Sequence, residues 1–266
     1  MAPERPVRIG VQIAPQHASY AGLRDLVARL EDLGVDIIFN WDHFFPLTGD
    51  PDGRHFEAWT MLAAMAEQTS RVEFGPLVNC SSYRNPDLQA DMARTVDHIS
   101  ARDGVGRFIF GTGSGWARRD YDEYGYEFGT AGSRLDALAE DLRRIRARWA
   151  VLNPAPTRDI PILIGGGGEQ KTLRIAAEHA DIWHCFGDVA TLEHKIAVFR
   201  ERCAEIGRDP GEVEISTGYT RRHDSALHAA EQKYELGVRL FEIPIEVGDD
   251  LGAVRELLAW RDGVNA

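Results

Sequence analysis

A run of four glycines, Gly165 to Gly168, points more directly to a ligand than any other stretch of this sequence. It follows a short β-branched run, Ile160 to Ile164, and precedes apolar residues at helical spacing. Glycines between a strand and a helix let the main chain approach a ligand, and the first helical amides can then bind an anion. Lys171 and Arg174 could add positive charge. The pattern indicates a phosphate site, and its alternative is a plain strand-to-helix turn.

The glycine run does not match the two best-defined nucleotide-binding motifs. A P-loop would carry Gly-Lys-Ser or Gly-Lys-Thr after the glycines, and that tripeptide is missing here. A dinucleotide-binding Gly-x-Gly-x-x-Gly with its acidic ribose partner is not convincing either. The run therefore predicts a phosphate without specifying the molecule that bears it.

Asp42 and His43 come directly after a second predicted strand, Val35 to Asn40. A histidine beside a carboxylate can exchange a proton near neutral pH or donate a hydrogen bond to a ring. The pair is therefore a catalytic candidate. In the alternative, Asp42 caps a turn while His43 packs among its aromatic neighbours.

Two further strand ends carry residues suited to a flat ligand. Gly113, Ser114 and Gly115 have almost no side-chain bulk, so a ring could lie against their main chain with Trp116 as a wall. The alternative is a tight turn with Trp116 in the core. Asn79 to Ser82 offer small donors and acceptors, although a solvated loop explains them as well.

Nucleophilic catalysis has little support in the sequence. Gly113-Ser114-Gly115 is not the nucleophile elbow of the serine hydrolases, and nothing beside Cys80 argues for a lowered thiol pKa. The charged, tyrosine-rich segment 117–133 is expected to be a solvated loop, with a lid or an oligomer contact as the alternative.

The elements that would position these residues alternate regularly. Strands are predicted at 7–14, 35–40, 72–80, 106–111, 160–164, 181–185, 213–217 and 238–243, and helices at 23–33, 56–68, 88–99, 134–149, 173–180, 192–206, 225–236 and 251–260. Apolar strands that alternate with helices describe a parallel sheet buried on both faces. We expect an α/β fold in which one domain, 1–266, closes into a (β/α)8 TIM barrel; an open doubly wound sheet is the alternative. In such a barrel the chemistry lies at the carboxyl ends of the strands.

Composition excludes several classes of function. The 266 residues carry a net charge of -12 with a pI near 5.2, which disfavours nucleic acid or an anionic membrane as a partner. No signal peptide or apolar run long enough to span a bilayer is present. The three cysteines are far apart without Cys-x-x-Cys, and the nine histidines form no His-Glu-x-x-His. We expect a cytoplasmic protein without a bound metal.

The order of these segments resembles the luciferase-like (LLM-class) flavin and deazaflavin oxidoreductases, in particular the actinobacterial branch that uses coenzyme F420. The resemblance covers about Val7 to Gly187. The matching segments are Trp41 to Pro46, Asn79 to Pro86, Asp97 to Ser100, Gly106 to Trp116, Gly165 to Gly168 and Ala180 to Trp183.

The resemblance implies a TIM-like barrel, usually dimeric, with the cofactor ring at the carboxyl mouth. By this likeness His43 transfers a proton and Asp42 sets its charge state or orientation, while Leu77-Val78 is a non-prolyl cis peptide behind the ring. The implied cofactor-binding residues are Asp42, His43, Leu77, Val78, Asn79, Cys80, Gly113, Ser114, Gly115, Trp116, Gly165, Gly166, Gly167 and Gly168.

The sequence departs from the sugar-phosphate dehydrogenases of this branch at two positions. Trp116 stands where they carry an acidic glutamate, and Leu47 stands where they carry a tryptophan. We therefore expect hydride transfer between F420 and a small organic substrate other than glucose 6-phosphate. The alternatives are an FMN-dependent monooxygenase and a cofactor carrier or sensor without turnover.

Overall fold

The computed structural model describes residues 5–219 and 226–266. Within these residues the strands form one parallel sheet, and helices follow most of them. The strands are β1 Arg8–Ile13, β2 Ile37–Asn40, β3 Glu73–Pro76, β4 Asn79–Cys80, β5 Phe110–Gly113, β6 Ile162–Gly165, β7 Ile182–His184, β8 Glu214–Gly218 and β9 Val238–Ile245. The helices are α1 Tyr20–Leu33, α2 Ala58–Gln68, α3 Pro86–Ser100, α4 Arg118–Tyr124, α5 Ala131–Trp149, α6 Thr172–His179, α7 Val189–Glu205, α8 Ala226–Tyr234 and α9 Gly252–Val264.

The sheet closes into a barrel within the segment 72–80, which the sequence predicted to be the third strand. The strand order is β3-β2-β1-β9-β8-β7-β6-β5-β4, so its two ends are segments that follow each other in the chain. The main chain of Phe74 closes the gap, because its N–H donates to Arg107 O at 3.2 Å and its carbonyl accepts from Ile109 N at 2.8 Å. The predicted strand 72–80 is thus divided between β3 and β4, and the predicted (β/α)8 barrel is confirmed.

Two inward-facing glycines permit this closure. A Cβ on Gly75 would lie 2.1 Å from Ile109 O, and a Cβ on Gly111 would lie 1.9 Å from Pro76 O. Both neighbours are main-chain atoms that cannot move aside as a flexible side chain could. Glycine is therefore the residue that lets β3 and β5 approach across the split strand.

Two of the apolar clusters among the described residues form the core of the barrel. The larger part lies between the strands and the surrounding helices, and α1 contributes Leu23, Leu26, Val27 and Leu30 to it, at the spacing that predicted this helix. The smaller part fills the barrel itself with Ile37, Phe39, Leu77, Ile109, Leu163, Ile182 and Leu240. The barrel is therefore packed along its axis, and space for a ligand has to be found at an end.

Some sequence-based boundaries need correction. The segment 117–133, expected to be a solvated loop, contains α4, and its Tyr121 is fully buried. The strand predicted at 106–111 lies further along the chain, at Phe110–Gly113, because Gly111 to Gly113 pair with β4 and β6. Ser225, the expected start of the eighth helix, lies outside the described residues, as do 1–4 of the predicted domain. No described helix has the length and apolar character needed to cross a membrane.

We expect Gly111→Ala to destabilise the fold by about 2–3 kcal/mol, because the added methyl group meets the Pro76 carbonyl inside a closed barrel. Gly263→Ala is the matched control, since no atom lies within 4 Å of its Cβ position in α9; it should stay within about 1 kcal/mol of the native chain. Urea denaturation followed by circular dichroism measures both. Equal stability of the two variants would contradict the proposed closure.

Candidate active site

His43 lies just beyond β2 and is held by a carboxylate from a distant segment. Its Nδ1 donates to Asp120 Oδ2 at 2.6 Å, and both side chains are largely buried. Asp120 also accepts from Phe44 N at 3.1 Å and from the Tyr83 hydroxyl at 2.9 Å. Burial opposes ionisation, but the bonds from His43, Phe44 and Tyr83 hold the pKa of Asp120 below its usual value.

This arrangement defines which ring nitrogen of His43 carries a proton. Since a carboxylate only accepts, the bond to Asp120 assigns the proton to Nδ1 and leaves Nε2 as the nitrogen that can exchange a proton with a ligand. A histidine oriented by a buried carboxylate is a common device for general acid–base catalysis. The pair can therefore hold or move one proton at the mouth of the barrel.

The expected pairing of Asp42 with His43 is wrong. Asp42 binds both terminal nitrogens of Arg84, at 2.6 and 3.0 Å, and accepts from the Cys80 main-chain N–H at 3.1 Å. Consecutive side chains in an extended segment point to opposite sides, so two neighbours in sequence need not meet. Asp42 anchors the segment that follows β4, and Asp120 takes the orienting role.

Aromatic side chains form one wall of the site. Trp116 is 66% exposed, and its ring contacts the His43 ring edge-on with centroids 5.4 Å apart. Trp116 therefore lies at the mouth and not in the core, which decides between the two alternatives raised by the sequence. On the other side of His43, Phe44 stacks on Tyr124 of α4 at 3.9 Å.

The Leu77-Val78 peptide bond is cis, as the resemblance implied. The Val78 side chain lies between two strand ends, since a Cβ on either Gly113 or Gly165 would come within 2.9 Å of a Val78 methyl group. Gln12 Nε2 donates to the Leu77 carbonyl at 2.6 Å. The structure thus brings together three predicted segments, the end of β3, the end of β5 and the end of β6.

Asn79 points toward the surrounding helices, and Cys80 is buried beside Gly115 and Tyr121. The Asn79 amide is fully buried, where its oxygen accepts from Trp59 Nε1 at 2.8 Å and its nitrogen donates to Gln89 at 2.7 Å. Cys80 Sγ lies 3.2 Å from the Tyr121 hydroxyl, and burial raises the pKa of the thiol. A contact between either residue and a ligand would have to use the main chain, and a protonated thiol is a poor nucleophile.

The next strand end carries Gly115, with φ of +77°. Its carbonyl accepts from Arg134 Nε at 3.2 Å, and the Ser114 carbonyl faces the Tyr121 hydroxyl at 3.4 Å. These bonds fix the main chain between β5 and Trp116.

The four-glycine loop is well held at its start and open afterwards. Gly165 ends β6, and Gly166 has φ of +130°, a conformation that favours glycine. The Gly166 N–H donates to His184 O at 2.9 Å, and its carbonyl accepts from Trp183 Nε1 at 2.9 Å. A Cβ on Gly167 would lie 2.8 Å from Cys185 Sγ, so a side chain there would collide with the neighbouring strand end.

The charges near this loop differ from those expected. Lys171 is bound to Asp136 at 2.6 Å, and Arg174 lies 3.8 Å from Glu205, so neither is directed at the glycines. Lys195 of α7 is the closer cation, because its Cε would lie 3.9 Å from a Cβ on Gly167. It pairs with Glu169 at 2.5 Å. No sequence pattern linked Lys195 to the loop, since 27 residues separate it from Gly168.

The predicted residues therefore gather at the carboxyl end of a closed parallel barrel, around a carboxylate–histidine pair and beside a glycine loop. Asp120 and Lys195 are the site residues that the sequence did not reveal. Among the described residues, no group of three His, Cys, Asp or Glu side chains is arranged to hold a metal ion. This architecture and placement define an α/β barrel protein with a candidate active site at its mouth.

Comparison with known proteins then gives the family. The model of the luciferase-like monooxygenase family matches residues 6–240, and the chain belongs to this family. An F420-dependent glucose-6-phosphate dehydrogenase of Amycolatopsis mediterranei is 28% identical over 258 residues, which cover 82% of this chain and 75% of that protein.

Two solved structures share the fold. One is an F420-dependent secondary alcohol dehydrogenase in complex with an F420-acetone adduct, with a TM-score of 0.81 and 19% identity over 95% of this chain and 98% of that one. The other is the oxygenating constituent of 3,6-diketocamphane monooxygenase of Pseudomonas putida in complex with FMN. Its TM-score is 0.64 and its identity 16%, over 81% of this chain and 68% of that one.

If Asp42 anchors the segment that follows β4, removing its charge should lower the free energy of unfolding. Asp42→Asn removes the buried charge that binds both terminal nitrogens of the partly buried Arg84, and we expect a loss of about 3 kcal/mol of unfolding free energy. Asp122→Asn breaks an exposed pair with Arg118 and should change stability by less than about 0.5 kcal/mol. Thermal and urea unfolding of both variants measure this difference; a neutral Asp42→Asn would refute the anchoring role.

Proposed function

We propose that this protein is an F420-dependent oxidoreductase, which transfers a hydride between C5 of the deazaflavin ring and a small organic substrate. The buried His43–Asp120 pair at the barrel mouth carries the proposal, because hydride transfer to or from an alcohol or carbonyl needs a partner for one proton. The F420-dependent proteins among the relatives and structural neighbours support the choice of cofactor.

The residues present fit such a cofactor. A phosphate needs close main-chain approach, and the track from Gly166 to Gly168 has no side chains to obstruct it. Lys195 lies next to that track, where it is paired with Glu169. Val78 and the low-bulk ends of β5 and β6 would back a flat ring, with Trp116 as a side wall.

When bound, F420 supplies the ring carbon that accepts or gives the hydride. His43 Nε2 would take the hydroxyl proton of an alcohol as its C–H bond breaks, or return it to a carbonyl oxygen in the reverse direction. Asp120 keeps the imidazole in the required tautomer. Trp116 and the α4 aromatics would limit the access of water to this proton.

An FMN-dependent monooxygenase is the second candidate, because the family is described by that activity and one structural neighbour holds FMN. A carrier without turnover is the third. The expected homodimer, the cytoplasmic location and the absence of a protein-bound metal stay predictions.

Parallel titrations with F420 and FMN test the cofactor. The change in ring fluorescence reports binding, and we expect F420 to bind more tightly than FMN. Gly167→Val should weaken F420 binding by at least about tenfold, because its side chain enters the track beside Cys185. Gly263→Ala is the control. Tighter binding of FMN would favour the monooxygenase, and F420 binding unaffected by Gly167→Val would refute the phosphate site.

A second experiment tests the proton-transfer role. In native protein loaded with F420, isopropanol and acetone serve as probes for the two directions of hydride transfer. We expect His43→Gln to lower turnover by about 10²–10⁴-fold with F420 affinity retained. His98→Gln, which changes an exposed ring bound to Ala155 O, should keep native turnover. Native turnover in His43→Gln would refute the role, and a native protein that binds F420 without turning over a broad set of alcohols and carbonyls would be a carrier.

A further inference from the structure

A second polar cluster lies at the barrel mouth, on strands that the proposed cofactor site does not use. Its members are His184 at the end of β7, Ser216 of β8 and Glu242 of β9. Ile182 and Leu240 belong to the core inside the barrel, and side chains two residues further along a strand share the same face. His184 and Glu242 therefore point into the barrel, one layer above that core.

These side chains are completely buried but not fully bonded. His184 Nδ1 bonds to Ser216 Oγ at 2.8 Å, while His184 Nε2 has no hydrogen-bond partner among the described residues. The same holds for Glu242 Oε1. Buried polar atoms in native proteins are nearly always paired, so two unpaired atoms on nearby strands call for a partner from outside the chain.

Burial disfavours the charged form of both groups. Burial raises the pKa of Glu242 to about 8, against a smaller opposing effect of the Gln12 main chain. Burial also lowers the pKa of His184 to about 3, with a smaller contribution from Lys233 of α8. Among the described residues, the inward-facing ones at the carboxyl ends of β7, β8 and β9 include no Lys or Arg, and the nearby cation is the buried Lys233 of α8, whose Nζ lies over the Tyr219 ring. The cluster itself can donate and accept hydrogen bonds.

An exposed aromatic ring covers the cluster. Phe186 is 58% exposed, and its ring meets the His184 ring edge-on at 4.8 Å. Gly218 leaves the room for this, because a Cβ there would lie 2.5 Å from both Phe186 Cε1 and Glu242 Oε2. Rotation of this exposed ring would open the two unpaired atoms while keeping an apolar surface beside them.

The proposed cofactor residues come from the ends of β2 to β6, with Cys185 and Lys195 beside the glycine track, so the inward-facing side chains of β7 to β9 are left for the second reactant. We propose that Glu242 and His184 bind an uncharged polar group of the substrate, a hydroxyl, carbonyl or amide remote from the reacting carbon, while Phe186 packs on its hydrocarbon skeleton. This inference rests on the proposed function. The substrate class is then a neutral molecule with two polar groups joined by an apolar part.

Three matched probes test this substrate class: cyclohexanol, its para-diol and its para-carboxylate. Each is titrated into the F420-loaded native protein and followed by tryptophan fluorescence. We expect the diol to bind about tenfold more tightly than cyclohexanol, because one neutral hydrogen bond is gained, and the carboxylate to bind most weakly. Absence of any diol preference, absence of binding by all three probes, or tightest binding of the carboxylate would overturn the proposal.

Variants assign the preference to the cluster. Glu242→Leu should abolish the diol preference, whereas Glu242→Gln, which keeps a neutral hydrogen-bonding group, should retain most of it. Phe186→Ala changes an exposed side chain and should weaken the binding of all three probes by the same factor. If Glu242→Leu keeps the preference, or if it weakens F420 binding tenfold, the cluster is not a substrate site. The F420 affinity of the native chain is measured separately. If the native chain does not bind F420, the proposed function is refuted, and this outcome is distinct from a failure of the present inference.

Discussion

The hydrogen bond between His43 and Asp120 depends on the docking of one short helix. The two residues are 77 positions apart, and α4 carries Asp120 to the mouth of the barrel. Tyr121, fully buried against Tyr83 and Cys80, fixes this helix. The preceding residue, Asp120, therefore has a defined position, and it can orient an imidazole and accept from Tyr83 at the same time. Without this docking, the imidazole of His43 would have no carboxylate to fix its tautomer.

The two ends of the barrel differ in how completely their buried polar groups are paired. At the amino end, Arg8 lies between Glu73, at 2.6 Å, and Glu214, so one cation ties together strands β1, β3 and β8. These charges are paired, as buried charges must be. At the carboxyl end, burial raises the pKa of Glu242 to about 8, and part of its bonding capacity is unused. Complete pairing serves stability, whereas unused capacity at the mouth is available to a ligand.

The mouth is also divided by strand. The glycine loop, the cis peptide and His43 come from the ends of β2 to β6, and the neutral cluster comes from β7 to β9. Such a division suits a reaction between two molecules, because a large cofactor and its partner must both reach the same centre. Phe186 and Trp116, both exposed, stand on the two sides and give the opening an apolar rim.

The sequence by itself determined the alternation of apolar strands and helices, and hence the barrel and the end at which its site lies. It also indicated the segments of that site, because glycines and strand ends are local features. It did not determine which acid serves His43. Asp42 is adjacent in the chain, yet it turns toward Arg84, and Asp120 looked like one more charged residue of a solvated loop. Likewise, Lys171 looked available to a phosphate until folding paired it with Asp136. Only tertiary structure decides such partners, since side-chain direction and long-range docking have no local signature.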